Sequence, residues 1–217
     1  MIRSDVLPPA QRAFWDDASG SIPPGWILYG GTAIALHLGH RASVDFDFFS
    51  SDPLDRKVLF RGCQALAGAK TLQDEPDTLT VVVDRAGEPI KLSFFGGIHF
   101  GRVGDPVTVD NRPLLASRLD LLGTKLATIT QRVEARDYID VAALLASGLT
   151  INEGVGALLA LYGDQASGLQ SVKTMTWFKD GGLDLVLPPH VKEQLERAAT
   201  VYDPATAPLR RRSSRLD

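Results

Sequence analysis

Two aspartates, one residue apart, are the first candidates for chemistry in this sequence. Asp45 and Asp47 lie in the apolar stretch SVDFDFFS, whose pattern predicts a strand. Residues i and i+2 of a strand share a face, so the carboxylates are expected side by side, with Val44, Phe46 and Phe48 facing the opposite way. Neighbouring carboxylates repel each other unless a cation compensates them, and paired carboxylates with substrate phosphates suit Mg²⁺. By itself the spacing is compatible with a metal site but is equally explained by an acidic solvent-facing strand edge.

A pair of glycines precedes the aspartates. Gly30 and Gly31 end a short predicted strand and open directly into a predicted helix, GTAIALHLG. Backbone N–H groups at a helix N-terminus bind anions, and the lack of side chains lets a phosphate approach closely. Thr32 would add a hydroxyl donor. The alternative is a tight turn that needs glycine for its backbone angles.

The order of these features predicts how they would work together. A phosphate-binding turn comes first, one helix follows, and the carboxylate strand then lies beside the first strand. This order would place the phosphates of a nucleotide between a helix N-terminus and a divalent metal. Phosphoryl transfer requires this kind of positioning and charge neutralisation.

The stretch GGTAIALHLGHRASVDFDFF resembles the signature of the nucleotidyltransferase superfamily related to DNA polymerase beta. Its particular form, with a later Arg-Asp-x-x-Asp, resembles the AbiEii/AbiGii toxin group, which includes the MenT toxins. The resemblance extends through about residue 145. It implies a minimal nucleotidyltransferase fold and a divalent cofactor, Mg²⁺ or alternatively Mn²⁺. The implied reaction is transfer of a nucleoside monophosphate from an NTP to an acceptor hydroxyl. The implied acceptor is the 3′ end of tRNA or another RNA, and the implied role is that of a toxin with a cognate antitoxin.

Further charged residues lie in the helical region after Pro113. Lys125 and Asp140 are on two predicted helices joined by a tight turn, and such helices are antiparallel, so both side chains can reach one cleft. In the toxin group a lysine and an aspartate at this spacing belong to the active site. The resemblance implies that Lys125 binds the triphosphate and that Asp140 completes the acidic or base function. Arg136 and Arg132 are candidates for phosphate or RNA contacts. Ordinary ion pairs are the alternative for each of these residues, and Asp137 is interpreted as a helix cap.

One departure from the superfamily pattern leaves two functions open. Many members carry a third carboxylate on a later strand, but the corresponding strand here, IKLSFFGG, places Lys91 and Ser93 on one face and has no acidic residue. Either Asp140 takes that role, or the protein is a catalytically silent nucleotide-binding module. A small-molecule, antibiotic-type nucleotidyltransferase is a further alternative. An Asp-x-Asp phosphatase is disfavoured, because its aspartate strand normally opens the fold.

The segment order predicts an α/β (α+β) architecture. Residues 1–112 are expected to form the nucleotidyltransferase core, a mixed twisted sheet flanked by helices. Residues 113–203 are expected to form a C-terminal helical bundle that completes the active site, and residues 204–217 a disordered basic tail.

Composition narrows the class of protein without identifying a ligand. The 217 residues are 44% hydrophobic and 23% charged, with a net charge of −3, which is typical of a globular protein and gives no global signal for nucleic-acid binding. The single cysteine, Cys63, excludes an internal disulfide. With no apolar segment long enough to cross a bilayer and no leader pattern, we expect a cytoplasmic protein without a membrane partner.

Overall fold

The structure is a computed structural model that describes residues 2–85 and 87–217. Its internal contacts divide the chain into two units. The sheet unit comprises the residues up to 101 together with residues 105–117 and 213–217, and the helical unit comprises residues 102–104 and 118–212. The predicted mixed α/β architecture is confirmed.

The described part of the sheet unit forms one six-stranded sheet in the order β3-β4-β5-β2-β1-β6. The strands are β1 (Ile27–Tyr29), β2 (Phe46–Phe49), β3 (Lys70–Glu75), β4 (Thr78–Arg85), β5 (Glu88–Phe95) and β6 (Leu114–Leu115). Strand β2 is antiparallel to β1 but parallel to β5, and β6 is parallel to β1. The other neighbours, β3 with β4 and β4 with β5, are antiparallel. The sheet is therefore mixed, with β2 at its centre.

Alternating burial orients the central strand. In the described part of this unit the α-helices are α1 (Pro9–Ala13), α2 (Gly30–Leu38) and α3 (Arg56–Gly62), and α1 and α2 contact the sheet. Phe46 and Phe48 on β2 are fully buried, and the Phe48 ring stacks on Phe94 of β5 with centroids 5.2 Å apart. Burying these rings holds the apolar face of β2 in the core, so Asp47 must face the opposite side. Val44 does not share this core face, since it precedes the strand and is 48% exposed, which corrects the sequence expectation.

The helical unit contains six α-helices in the described chain. They are α4 (Arg118–Thr128), α5 (Ala135–Ala146), α6 (Ile151–Tyr162), α7 (Gly168–Met175), α8 (Leu183–Val186) and α9 (Pro189–Thr200). Helices α4 and α6 approach closely at Gly123, where a Cβ atom would lie only 3.0 Å from the Leu158 backbone nitrogen. A capping box formed by Thr150 and Glu153 starts α6. Among the described residues, no single helix has the length and apolar character needed to cross a membrane.

The unit boundary and the tail differ from the sequence expectation. The sheet unit continues past residue 112 to Ser117, because Leu114 and Leu115 pair with β1. The tail after residue 203, expected to be disordered, makes specific contacts within each unit. The Leu209 N–H donates to the Gly156 carbonyl at 2.9 Å in the helical unit. In the sheet unit, both terminal nitrogens of Arg215 donate to Asp52 at 2.9 Å, and Leu216 is buried. Composition alone does not reveal these long-range partners.

Candidate active site

The aspartate pair lies at the start of β2. Asp47 is the second residue of the strand, opposite Ser93 on β5 and Tyr29 on β1, whereas Asp45 immediately precedes the strand. The Asp45 carboxylate is 29% exposed, and its Oδ2 lies 3.1 Å from Nζ of Lys91 on β5. A lysine thus compensates one carboxylate of the predicted metal pair.

The glycine turn lies close to the second carboxylate. Gly30 is the first residue of α2 and has φ +70°, a conformation that L side chains rarely adopt. A Cβ atom at this position would lie 2.8 Å from Oδ2 of Asp47. Glycine is therefore favoured here for two reasons, its backbone angle and the close approach of the Asp47 carboxylate.

The space over the second glycine is occupied by an arginine that the sequence analysis missed. A Cβ atom on Gly31 would lie 2.5 Å from a terminal nitrogen of Arg41 and 3.3 Å from Oγ of Ser43. The guanidinium group thus lies at the first turn of α2, where the helix end also favours anions. The available signal was a basic residue in the short loop between the glycine helix and the aspartate pair.

Thr32 positions the loop that carries Asp45. Its hydroxyl is buried, is hydrogen-bonded to Oγ of Ser43 at 2.8 Å, and donates to the backbone carbonyl of Asp45. These contacts hold the Asp45 backbone against α2. Direct contact of Thr32, Gly30 or Gly31 with a nucleotide stays a prediction.

The donor set fits a hard divalent cation. Carboxylate oxygens are the ligands that Mg²⁺ prefers, and Mg²⁺ commonly takes one or two protein carboxylates and fills its remaining positions with water and substrate phosphates. The third strand carboxylate is absent, since Ser93 is the β5 residue beside Asp47. Within residues 2–85 and 87–217, no group of three His, Cys, Asp or Glu side chains could hold a metal. Asp45 and Asp47 would therefore leave most positions of a divalent cation to water or phosphate oxygens.

A second charged cluster lies inside the helical unit. Nζ of Lys125 on α4 is 2.6 Å from Oδ1 of Asp137 and 2.7 Å from Oδ2 of Asp140, both on α5. The two aspartate side chains have no exposed surface, and the Lys125 side chain is 8% exposed. Arg132, between the two helices, donates from Nε to Oδ2 of Asp137 at 2.8 Å. The structure thus brings Lys125 and Asp140 together in a closed network, which we call the buried ion network (Lys125, Arg132, Asp137, Asp140).

The interpretation of Asp137 as a helix cap is wrong. Glu134 is the N-cap residue of α5, and Asp137 lies in the first turn, where it pairs with Lys125 and Arg132. Burial by itself raises the pKa of the Asp137 carboxyl. The hydrogen bond from Arg132 and the charge of Lys125 outweigh that effect and hold the pKa of Asp137 below its usual range. The carboxylate is therefore ionised at neutral pH.

Arg136 lies apart from the buried ion network. Its Nε is 2.9 Å from a carboxylate oxygen of Glu134, and its side chain is 48% exposed. A phosphate or RNA contact by Arg136 stays a prediction, as do the catalytic roles of Lys125 and Asp140.

Comparison with known proteins identifies a family that this sequence matches. A family model described as "Nucleotidyl transferase AbiEii toxin, Type IV TA system" matches residues 19–208. The uncharacterized protein aq_aa25 of Aquifex aeolicus (strain VF5) is 31% identical over 121 residues, which cover 54% of this chain and 56% of that protein. The match thus spans little more than half the length of this curated relative.

Two solved structures have a similar fold. A putative nucleotidyltransferase from H. pylori has a TM-score of 0.57 at 16% identity, covering 88% of this chain and 91% of its own. The nucleotidyltransferase toxin MenT4 from Mycobacterium tuberculosis H37Rv has a TM-score of 0.54 at 14% identity, covering 82% of this chain and 76% of its own. At such low identity these similarities concern the fold alone. Since the family model covers most of the sequence, however, the chain belongs to the AbiEii nucleotidyltransferase toxin family.

Proposed function

We propose that this protein transfers a nucleoside monophosphate from an NTP to the hydroxyl at the 3′ end of tRNA. The observation that carries the proposal is the close approach of the Asp47 carboxylate to the Gly30 turn, with Asp45 just before the same strand. A phosphate-binding turn beside two carboxylates is what nucleotidyl transfer requires. Membership of the AbiEii family supports the reaction class.

Asp45 and Asp47 would hold Mg²⁺ or Mn²⁺ in this reaction. When bound, the metal neutralises charge that develops on the triphosphate. The backbone N–H groups at the start of α2 and the Arg41 guanidinium bind and orient phosphate oxygens. Lys91 keeps the Asp45 carboxylate compensated before the nucleotide enters.

We extend the proposal to two residues of the helical unit. Lys125 would bind the triphosphate, and Asp140 would accept the proton of the attacking hydroxyl in place of the missing strand carboxylate. The family resemblance supports these roles. Because Lys125 is paired with Asp140 at 2.7 Å and the Asp140 side chain has no exposed surface, the roles require this ion pair to open to the substrate. A purely structural ion network is the alternative.

The biological role proposed is that of a toxin. The family description names a type IV toxin–antitoxin system, so we propose that a cognate antitoxin counteracts this protein. The implied substrates are an NTP and an RNA with a free 3′ end.

Label transfer tests the proposal directly. The purified protein is incubated with tRNA, Mg²⁺ and each of the four NTPs labelled at the α-phosphate, and we expect label in the tRNA with at least one of them. Asp45→Asn should abolish labelling, whereas Asp164→Asn, an exposed carboxylate in the helical unit, should not. Periodate-oxidised tRNA, which lacks the terminal hydroxyls, should remain unlabelled. Failure of all four NTPs to label tRNA would contradict the proposed acceptor.

A catalytically silent nucleotide-binding module is the second candidate. The position of Ser93 beside Asp47, where a third carboxylate is common in the superfamily, favours it. Calorimetric binding of an NTP without label transfer to tRNA, total RNA or small hydroxyl compounds would support this candidate. Transfer to a small molecule alone would instead indicate an antibiotic-type enzyme.

A further inference from the structure

A pocket of about 430 Å³ lies within the helical unit, next to the buried ion network, with which it shares Arg132. It is lined by the connection between α4 and α5, by α5, and by α7 and the residues after it. Its volume is within the range of about 300–1,000 Å³ that is usual for small-molecule sites. We propose that this pocket is a nucleotide subsite, in which a nucleobase stacks on Trp177 while Lys173 and Arg132 bind the adjoining phosphate.

Trp177, which lines the pocket, is far more exposed than the other tryptophans of this protein. The sequence has three tryptophans, and Trp15 and Trp26 are 1% and 8% exposed, whereas Trp177 is 50% exposed. An exposed indole face offers a stacking surface to any nucleobase. Nζ of Lys179 lies 5.3 Å from the Trp177 ring centroid, a cation–π contact that orients the ring and adds positive charge. These features match the combination of aromatic and basic side chains that binds single nucleotides and single strands.

The pocket lining also contains charged and polar side chains that can bind the phosphate and the base of a nucleotide. Lys173 is an exposed cation on α7, and Arg132, which pairs with Asp137 but keeps 48% of its side chain exposed, adds a second positive charge to the lining. Asp180 is an acidic lining residue, and its carboxylate can accept a hydrogen bond from the exocyclic amino group of a base. The amides of Gln131 and Gln170 can both donate to and accept from a base edge.

One residue connects the pocket with the buried ion network. Arg132 lines the pocket and also donates to both oxygens of Asp137, at 2.8 and 3.2 Å. Asp137 in turn holds Lys125. Arg132 and Lys125 thus share Asp137 as a partner, so a phosphate bound at Arg132 would be close to Lys125, the residue proposed to bind the triphosphate.

The inference rests on the proposed function only for the source of the nucleotide. A nucleotidyltransferase acting on RNA has two nucleotide substrates, the donor NTP and the terminal nucleotide of the acceptor. Both present a base with an adjoining phosphate, so the pocket chemistry is the same and experiment must distinguish them.

Tryptophan fluorescence separates the subsite from catalysis. Each NTP, or a short single-stranded RNA, is titrated into the full-length protein in EDTA, so that metal-dependent turnover is absent. Because Trp177 is the most exposed of the three tryptophans, we expect saturable quenching by at least one probe. Binding, measured in parallel by calorimetry, should weaken about tenfold or more in Trp177→Ala and remain near wild type in Trp177→Phe.

Charge and position controls sharpen this test. Lys173→Gln should also weaken binding, whereas Arg197→Gln, an exposed cation on α9, and Leu169→Ala, an exposed apolar side chain on α7, should not. In the transfer assay Trp177→Ala should raise KM for the substrate that the pocket holds and leave kcat nearly unchanged. Selective loss of NTP binding would identify the donor as the occupant, and selective loss of RNA binding the acceptor.

Two results would overturn the subsite. The first is binding of both probes by Trp177→Ala and Lys173→Gln within twofold of wild type, and the second is the absence of any Trp177-dependent quenching. Pocket binding without label transfer to any acceptor would contradict the proposed function and leave the subsite intact. Label transfer with unchanged KM values in Trp177→Ala would support the proposed function and contradict the subsite.

Discussion

Two lysine–carboxylate clusters in this protein differ chiefly in their access to water. Lys91 and Asp45 meet at 3.1 Å with side chains 42% and 29% exposed. Lys125 meets Asp137 and Asp140 at 2.6 and 2.7 Å, with the carboxylates fully buried. An exposed ion pair contributes little to stability and can exchange its partners, whereas a buried charge that loses its partner is costly. Under the proposed function the sheet cluster would exchange its ion pair for metal and phosphate, whereas the helical cluster stabilises its unit.

The largest expected effect is on activity at the exposed cluster. Replacing Asp45 or Asp47 by Asn should lower label transfer by about 10³-fold or more, because several kcal/mol of metal-dependent transition-state stabilisation is lost. The thermal midpoint should change little for Asp45→Asn, since its ion pair is solvent-exposed. A large drop in the midpoint accompanying the loss of activity would remove the proposed distinction between the clusters.

The two lysines provide the direct test of that distinction. Lys125→Met should reduce the free energy of unfolding by about 3–5 kcal/mol, because it removes a partner from two buried carboxylates. Lys91→Met, the matched change at the exposed cluster, should cost less than about 1 kcal/mol. Urea denaturation of both variants measures the difference. Equal losses of unfolding free energy in the two variants would show that burial does not make the two clusters differ in their contribution to stability.

The pH dependence of stability should also originate in the buried ion network. Because the folded-state pKa of Asp137 is lowered, its contribution is complete above the ordinary aspartate pKa and is lost as the pH falls through the lower folded value. The free energy of unfolding of the wild type should thus fall from about pH 5 downward. Asp137→Asn should reduce that slope, as measured by urea denaturation at a series of acidic pH values. An unchanged slope would mean that other carboxylates dominate.

The smallest expected effect concerns the glycine turn. Gly30→Ala should cost about 1–2 kcal/mol through backbone strain and should also displace Asp47, reducing label transfer. Gly68→Ala is a matched control, because Gly68 has φ +73° but nothing within 4 Å of an added Cβ. Both variants should therefore lose similar stability, and only Gly30→Ala should lose activity. Loss of activity in both would argue against the Asp47 contact.

Much of the sheet unit could be predicted, because its signals are local. The alternation around Phe46 and Phe48 indicates which face of β2 is buried, and Gly39 ends α2 with φ +66° as its residue type suggests. The prediction failed at Val44 because the exact start of a strand depends on its partners, and here the pairing begins at Phe46. The tail was mispredicted for a related reason, since Arg215 and Leu216 find partners far away in the sequence.

The order of the chemical groups follows directly from the amino-acid sequence: a glycine pair, a helix, an aspartate pair, and a lysine and an aspartate on consecutive helices. Those features depend on neighbours within a few residues or on a single short turn. Three contacts are visible only in the folded protein: Arg41 lies over Gly31, Lys91 pairs with Asp45, and Asp137 is buried with Lys125. These contacts depend on strand register and helix packing, which arise when distant segments bury their apolar faces together.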